Sequence, residues 1–289
     1  MFTDLYSPLQ QLKHPQLDSL WIKRDDLIDP YISGNKWRKL KYLLQDAAAR
    51  GKGHLVTFGG AFSNHLVATA AAAARSGLKA TAFVRGEAVN NEMLLLCRLY
   101  GMELIFTSRE AYRDKQQCYA AHFGNDPDAY FVDEGGASAE GVRGCAELIA
   151  ELPADTAHIF CAAGTGTTAA GLLQGIVTAG HAARLHVVPV LKGGDFIREE
   201  IARYVPQTAQ LDIHTNYHFG GYAKTRPELL TFLKDFSAAH GVLVDPVYTA
   251  KAAFALYDLA AAGYFQPGEK VIFLHTGGLL GIMGMKDRF

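Results

Sequence analysis

Cysteine is scarce in this sequence: Cys97, Cys118, Cys145 and Cys161 are scattered over 289 residues with no C-x-x-C pair. That spacing argues against a disulfide framework and a thiolate zinc site, and free thiols fit a reducing cytosol. Charge of one sign is also missing. Lys and Arg total 28 against 29 Asp and Glu, so neither the basic excess of a nucleic-acid binder nor an acidic tail is present. Long apolar runs are lacking, since the alanine-rich stretch 67–74 is far too short to span a bilayer. The first six residues have neither the basic start nor the apolar core of a signal peptide. No low-complexity linker and no solenoid-period repeat interrupts the chain. The expectation is a cytoplasmic protein, with no nucleic-acid or membrane partner, that binds small molecules and further copies of itself.

What is present is a foldable chain. A hydrophobic fraction of 49% with 20% charged residues is ordinary for a packed protein and excludes disorder as the main state. Its length suggests one large domain or two of roughly 150 residues. Short apolar runs alternate with segments of helical period. Residues 20–24, 54–58, 78–85, 102–106, 129–132, 157–161, 184–190 and 270–274 read as strands. Residues 64–75, 91–100, 110–122, 167–179, 227–240 and 250–262 read as helices, and another starts at Lys36. Glycines at 77 and 101 stand where helices stop. Strands alternating with helices predict an α/β fold with parallel sheets, because parallel strands need helical crossovers. Such sheets bind ligands beyond the carboxyl ends of their strands, so the loops after the strands are where chemistry is sought.

Four of those loops stand out. Gly164-Thr165-Gly166-Thr167-Thr168 opens a helix, and its glycines and hydroxyls suit an anion resting on the helix N-terminus. It is no P-loop, for no lysine follows in the required place. It matches a loose dinucleotide fingerprint through Gly164, Gly166 and Ala169, but the acid expected at the end of the next strand is displaced to Asp195. A phosphate-bearing ligand is favoured over a dinucleotide, and a glycine turn that only packs helix on strand is the alternative. Gly59-Gly60 leads to Ser63-Asn64-His65 at a second helix start, where Ser63 is a natural N-cap and a carboxylate could rest. Lys36 follows Ser33-Gly34-Asn35 at a third. The positive field there, with burial, lowers an amine's pKa and makes it nucleophilic. A lysine and a phosphate loop together point to a Schiff base with a phosphorylated aldehyde. The fourth loop is His275-Thr276-Gly277-Gly278. The histidines show no ligand spacing, so no metal is expected, and Asp25-Asp26 reads as a capping or ion-pairing dyad.

Ser33 to Lys36, Gly60 with Ser63 to His65, Gly164 to Thr168, Asp245-Pro246-Val247-Tyr248-Thr249 and His275 to Gly278 occur together and in order. In this the chain resembles the D-cysteine desulfhydrase / 1-aminocyclopropane-1-carboxylate deaminase family, over nearly its whole length. The resemblance implies pyridoxal 5'-phosphate as cofactor. It implies the tryptophan synthase β-like fold (fold type II), an α/β architecture of two open, twisted, mostly parallel sheets flanked by helices. It implies a large cofactor-binding domain (1–39 and 146–289), a small domain (40–145) and a homodimer. Lys36 would hold the cofactor and move the substrate's proton, Asn64 would meet its ring hydroxyl, and Gly164, Thr165, Gly166, Thr167 and Thr168 its phosphate. Thr276 would face the ring nitrogen. Ser63, Asn64 and His65 would hold the substrate carboxylate, with Tyr248 and Tyr222 lining the substrate side.

Two positions bear on the reaction. Deaminase members are similar in carrying Glu after the tyrosine of Asp-Pro-Val-Tyr and Leu in place of the threonine of His-Thr-Gly-Gly, where this chain has Thr249 and Thr276. A neutral hydroxyl stabilises a protonated ring nitrogen less than a carboxylate does, so the cofactor is a shallower electron sink. Expelling a thiol from D-cysteine needs less activation than opening a cyclopropane. The expectation is a carbon–sulfur lyase yielding pyruvate, hydrogen sulfide and ammonia. The alternatives are a 1-aminocyclopropane-1-carboxylate deaminase, an NAD(P)-dependent oxidoreductase using Gly164-Thr165-Gly166, and a non-enzymatic carrier of the cofactor. Trp37 departs from the pattern with a large ring beside the lysine.

Overall fold

The computed structural model describes residues 5–289. In chain order its elements are β1 (Leu9–Leu12), β2 (Leu20–Lys23), α1 (Asn35–Ala49), β3 (His54–Gly60), α2 (Asn64–Arg75), β4 (Lys79–Arg85), α3 (Glu92–Leu99), β5 (Glu103–Thr107), α4 (Lys115–Phe123), β6 (Ala129–Val132), α5 (Ala139–Ala146), β7 (Thr156–Ala163), α6 (Thr167–Ala179), β8 (Arg184–Pro189), α7 (Phe196–Ala202), β9 (Leu211–Ile213), α8 (Pro227–His240), α9 (Thr249–Ala261) and β10 (Lys270–Leu274). Among the described residues the strands form two sheets. One runs β1-β2-β10-β7-β8-β9, parallel but for the antiparallel edge strand β1, and the other runs β5-β4-β3-β6, all parallel. This is the expected α/β architecture of two mostly parallel sheets flanked by helices.

Strand alternation shows how the layers form, since successive side chains point to opposite faces. In β7, Ile159 and Cys161 pack under α5, α6 and α7, while Phe160 and Ala162 pack under α8 and α9. In β4, Ala80, Ala82 and Val84 join the core under α1, α2 and α3, while Phe83 joins an aromatic cluster near α4. Covered on both faces, the central strands can be apolar throughout, which is why they read as plain runs. No helix among the described residues is long and apolar enough to cross a membrane.

Several expected elements match to the residue, among them 64–75, 167–179 and 227–240. The helix expected over 110–122 is instead a short turn followed by α4, because the Asp114 side chain accepts the Gln117 N–H at 2.9 Å and caps a new start. β1, α5, α7, β9 and the turns over Leu279–Arg288 were not anticipated.

α5 matters most of these, because it wedges between α1 and α6. A Cβ on Gly144 would stand 2.0 Å from the Arg38 carbonyl oxygen in α1. One on Gly171 would stand 2.4 Å from Cys145 Cβ, and one on Gly175 2.5 Å from the Ala146 carbonyl oxygen. The three helices therefore meet backbone to backbone. Arg38, 1% exposed, locks α1 from below: its guanidinium donates to Asp25 at 2.6 and 2.8 Å and to Glu151 at 2.7 and 3.0 Å. Lys23 joins Glu151 at 2.7 Å, so the dyad reading of Asp25 holds in this network.

The large sheet also carries a row of imidazoles. His158 on β7 bonds His186 on β8 at 2.9 Å, and His186 bonds His214, just past β9, at 2.9 Å. Burial first, then its imidazole neighbours, pushes His186 down to about 2, and burial lowers His214. Folded His186 and His214 stay neutral where unfolded imidazoles, titrating near 6.5, take up protons. Stability contributed by these two imidazoles is therefore complete above pH 6.5 and lost as the pH falls below it. We expect the unfolding free energy from urea titrations to stay nearly level from pH 7.5 to 6.5 and then to fall, with a slope approaching about 1.4 kcal/mol per pH unit for each of these imidazoles. His186→Phe should flatten that slope, and an unchanged slope would contradict the buried neutral imidazole.

Candidate active site

The loops after the strands converge on one cavity of about 540 Å³ between the two sheets' carboxyl ends. Its wall includes Lys36, Lys39, Ser63, Asn64, His65, Gly164, Thr165, Gly166, Thr168, Tyr222, Tyr248 and Thr276. Thr167 does not reach the wall: it is buried behind the loop, and its hydroxyl pairs with that of Thr165 at 3.1 Å.

α1 begins at Asn35, so Lys36 sits in its first turn. Lys36 Nζ donates to the Gly135 carbonyl at 3.1 Å, and Lys39 Nζ, one turn on, donates to the same oxygen at 3.0 Å. Burial, and next the charge of Lys39, holds the Lys36 amine well below the usual ammonium range. The point where a Cβ on Gly135 would stand is 3.7 Å from Lys36 Nζ and 3.6 Å from Thr165 Oγ1. Asn35 Nδ2 also donates to Thr168 Oγ1 at 2.9 Å. Lysine and anion loop thus share one corner of the cavity.

That loop is built as an anion cradle. Gly166 takes φ +82° to cap α6, whose first-turn N–H groups have no intrahelical acceptor and open toward the cavity with the Thr165 and Thr168 side chains. On the opposite wall, Ser63 occupies the cap position of α2, but its hydroxyl makes no capping bond. Asn64 Nδ2 donates to the Gly278 carbonyl at 3.3 Å, and its buried Oδ1 has no partner. Thr57 gives its hydroxyl proton to the Val132 carbonyl at 2.9 Å, so His65 Nε2 donates to Thr57 at 2.8 Å. His65 Nδ1 is left as a buried lone pair without a partner. Burial, then Lys36 and Lys39, holds that imidazole neutral.

The floor is set by close backbone contact. A Cβ on Gly34 would stand 1.9 Å from the Thr276 carbonyl oxygen, and the Asn35 N–H donates to that oxygen at 3.3 Å. Tyr248 and Tyr222 meet edge to face with centroids 6.1 Å apart. Tyr248 precedes α9, which is capped by fully buried Asp245. Its carboxylate accepts the N–H groups of Val247 and Tyr248 at 2.9 Å and that of Thr249 at 2.8 Å. The Thr249 hydroxyl donates to it at 2.8 Å, so Thr249 is committed to the cap and lies off the cavity wall. Trp37 packs into the apolar core behind α1.

Some residues of the site escaped sequence reasoning. Lys39 read as one of several basic residues on a helix face, although its spacing of three from Lys36 places both on one side. Gly135 and Glu134 follow β6, so the rule that drew attention to other post-strand loops applied here too. Lys251, fully buried in α9, donates to the carbonyls of His218 at 2.9 Å and Gly221 at 2.8 Å, which anchors the loop bearing Tyr222; nothing in its local sequence marks it.

The residues fit a phosphorylated, ring-bearing aldehyde: a poised amine, an anion cradle, and an amide oxygen left without a partner. Fold and cavity together define an enzyme that binds a covalent, phosphate-tailed cofactor between two α/β layers. The chain belongs to the pyridoxal-phosphate dependent enzyme family, whose model matches residues 3–277. It is 36% identical to a Pyrococcus abyssi protein provisionally named 1-aminocyclopropane-1-carboxylate deaminase, over 91% of this chain and 85% of that one. It is 30% identical to a D-cysteine desulfhydrase of Yersinia pestis, over 90% of this chain and 86% of that one. The crystal structure of an ACC deaminase homologue superposes with TM-score 0.86 and 30% identity, covering all of this chain and 94% of that one. The nicotinamide reading of Gly164-Thr165-Gly166 is set aside by this membership.

The floor contact makes a sharp test. Gly34→Ala forces Cβ into backbone at a φ of +59° and should cost about 3 kcal/mol or more, whereas Gly51→Ala, with φ +66° and open space, should cost about 1 kcal/mol. Urea midpoints of the two variants check this, and equal losses would refute the close approach.

Proposed function

We propose that the chain is a pyridoxal-phosphate dependent lyase that removes the β-substituent and the amino group of a small amino acid, in the manner of a D-cysteine desulfhydrase. The observation that carries this reading is the depressed amine of Lys36 beside the 164–168 loop in one cavity. Lys36 would hold the cofactor, with Gly164 to Thr168 about its phosphate, Asn64 at its ring hydroxyl and Thr276 at its ring nitrogen. When bound, the cofactor supplies an electron sink for charge developing at the substrate's Cα. The protein supplies the rest. Ser63, free of capping duty, and the N–H groups of the 63–65 turn hold the carboxylate. Lys36, poised as a free amine, takes the Cα proton. His65, neutral and tied to Thr57, stiffens that turn without adding charge. Tyr248 and Tyr222 close the substrate side.

Relatives named for both D-cysteine desulfhydrase and 1-aminocyclopropane-1-carboxylate deaminase support a second reading, deamination of the cyclopropane amino acid to 2-oxobutyrate. Thr276 on the cavity wall favours the first. The reading extends to a large domain built on the sheet of β1, β2 and β7 to β10 and a small one built on β3 to β6. α1 runs unbroken through residues 39 and 40, so the boundary is better set before that helix. Four free cysteines support a cytoplasmic location, and the family resemblance supports a homodimer.

Purified protein should show the cofactor's visible absorption and release pyruvate and ammonia from D-cysteine. Lys36→Ala should lose both. Absorption retained in that variant would overturn the role of Lys36, and preferential release of 2-oxobutyrate from the cyclopropane substrate would favour the second reading.

A further inference from the structure

α9 grips the loop that follows β9 along one face. Residues 251, 254 and 258 have the i, i+3, i+7 spacing that places side chains on one side of a helix. Asp258 accepts the Tyr217 hydroxyl at 2.7 Å, and the Phe254 ring meets that of Phe219 edge to face with centroids 5.0 Å apart. Lys251, fully buried, donates to the carbonyls of His218 at 2.9 Å and Gly221 at 2.8 Å, and its ammonium stands 3.4 Å from the Val190 carbonyl just past β8. All three acceptors are backbone oxygens drawn from two separate segments. A lysine is seldom buried so completely, because taking its charge out of water is costly unless partners surround it. Burial brings this amine down to about 8, so it keeps most of its charge at neutral pH.

The backbone that Lys251 holds is strained. Phe219 and Ala223 take φ of +50° and +54°, in the left-handed region that crowds a Cβ, with Gly220 at +97° and Gly221 at +117° between them. Such a run persists only where its surroundings over-determine it, and strain of this kind gathers at functional sites. Its product is the placement of Tyr222 on the cavity wall, where the ring meets Tyr248 edge to face at 6.1 Å. Tyr248 immediately precedes α9. One helix therefore carries one of the two tyrosines at its start and fixes the other through its side.

We propose that Lys251 is a positioning residue of the reaction: its ammonium gathers the His218, Gly221 and Val190 carbonyls and so holds the Tyr222 ring at its distance from Tyr248 on the substrate side of the cavity. This rests on the lyase reading above and deepens it, tracing the substrate-side wall to a side chain that lies behind that wall. Without the ammonium the buried carbonyls lose their donor, and the loop relaxes out of its left-handed run. Tyr222 then turns from Tyr248, while Lys36 and the 164–168 loop, which stand on α1 and α6, keep their places.

The test is a double-mutant cycle in cofactor-loaded protein, read by pyruvate release from D-cysteine. Lys251→Met should lower kcat/KM about tenfold, the scale of one buried charged hydrogen-bonding group, and leave the cofactor's visible absorption unchanged. In a Tyr222→Ala background the same substitution should cost no more than about twofold, because the ring it places is gone. Equal losses in both backgrounds overturn the proposal, as does an unimpaired Lys251→Met. Amide hydrogen exchange gives a second reading: in Lys251→Met it should quicken about tenfold over residues 218–224 and keep the wild-type rate over α2. Exchange unchanged over 218–224, or quickened throughout the chain, also overturns the proposal. Should Lys251→Met fail to fold by circular dichroism, Lys251→Gln, which keeps two donors without the charge, takes its place with the same expected pattern, and failure of both assigns Lys251 to the fold alone and ends the proposal. If the unmodified protein turns over no D-cysteine, the lyase reading fails separately, and the exchange comparison decides whether Lys251 holds the Tyr222 loop.

Discussion

Three helices touching backbone to backbone set the geometry on which the cavity depends. Gly144 of α5 lies against the Arg38 carbonyl of α1, and Gly171 and Gly175 of α6 lie against α5. The lysine and the anion loop stand at the N-termini of α1 and α6, so the thickness of α5 spaces them. Any side chain at these glycines would wedge the helices apart, and packed interiors yield poorly to such insertions. Arg38 completes the arrangement from the other end. Its two carboxylate partners are fixed by β2, by the turn after it and by the segment leading to β7. Removing one partner of a buried pair like Arg38 and Asp25 strands a charge, at about 3–5 kcal/mol.

The cavity gathers cations in excess of anions around a neutral centre. Lys36 and Lys39 share one carbonyl acceptor, and burial makes two full charges there unfavourable. The charge of Lys39 lowers the proton affinity of Lys36, and both lower that of His65. An anion at the α6 N-terminus relieves this tension, because it brings negative charge to a place where N–H dipoles and amines already point. The same crowding lowers the proton affinity of Lys36 and favours its free-amine form. On the function proposed above, anion binding and nucleophile activation would be two results of one concentration of positive potential.

Much of this was legible in the sequence. The strands read as apolar runs because two-sided burial removes polar alternation, and the helices ended where glycines stood. What escaped has physical causes. α5 carries Gly141 and Gly144, which disfavour a helix locally, and the close approach that needs them is visible only with α1 and α6 in place. β9 is three residues long, too short to show a period. Ser63 read as a cap by residue type, yet its hydroxyl is not used so, because a preference among residue types is not a contact. Lys251 acts through what surrounds it, by bonding carbonyls distant in sequence. Pattern alone cannot express that condition.

Thr249 and Thr276 looked equivalent as sequence signals, and the fold separates them. The Asp245 carboxylate accepts both the N–H and the hydroxyl of Thr249 while capping α9. A glutamate at 249 would bring a second carboxylate to a fully buried one, and two like charges in that space cannot both ionise. Either one carboxyl keeps its proton or the side chain turns away from the cap toward the cavity. The deaminase-like residue at this position therefore requires a rearranged cap as well as a new functional group. Thr276 needs no such change, since it already stands on the wall, held by its backbone contact with Gly34 and Asn35. On the function proposed above, the wall position that would distinguish the two reactions is thus a neutral hydroxyl, and it suits a substrate whose leaving group departs as a stable anion.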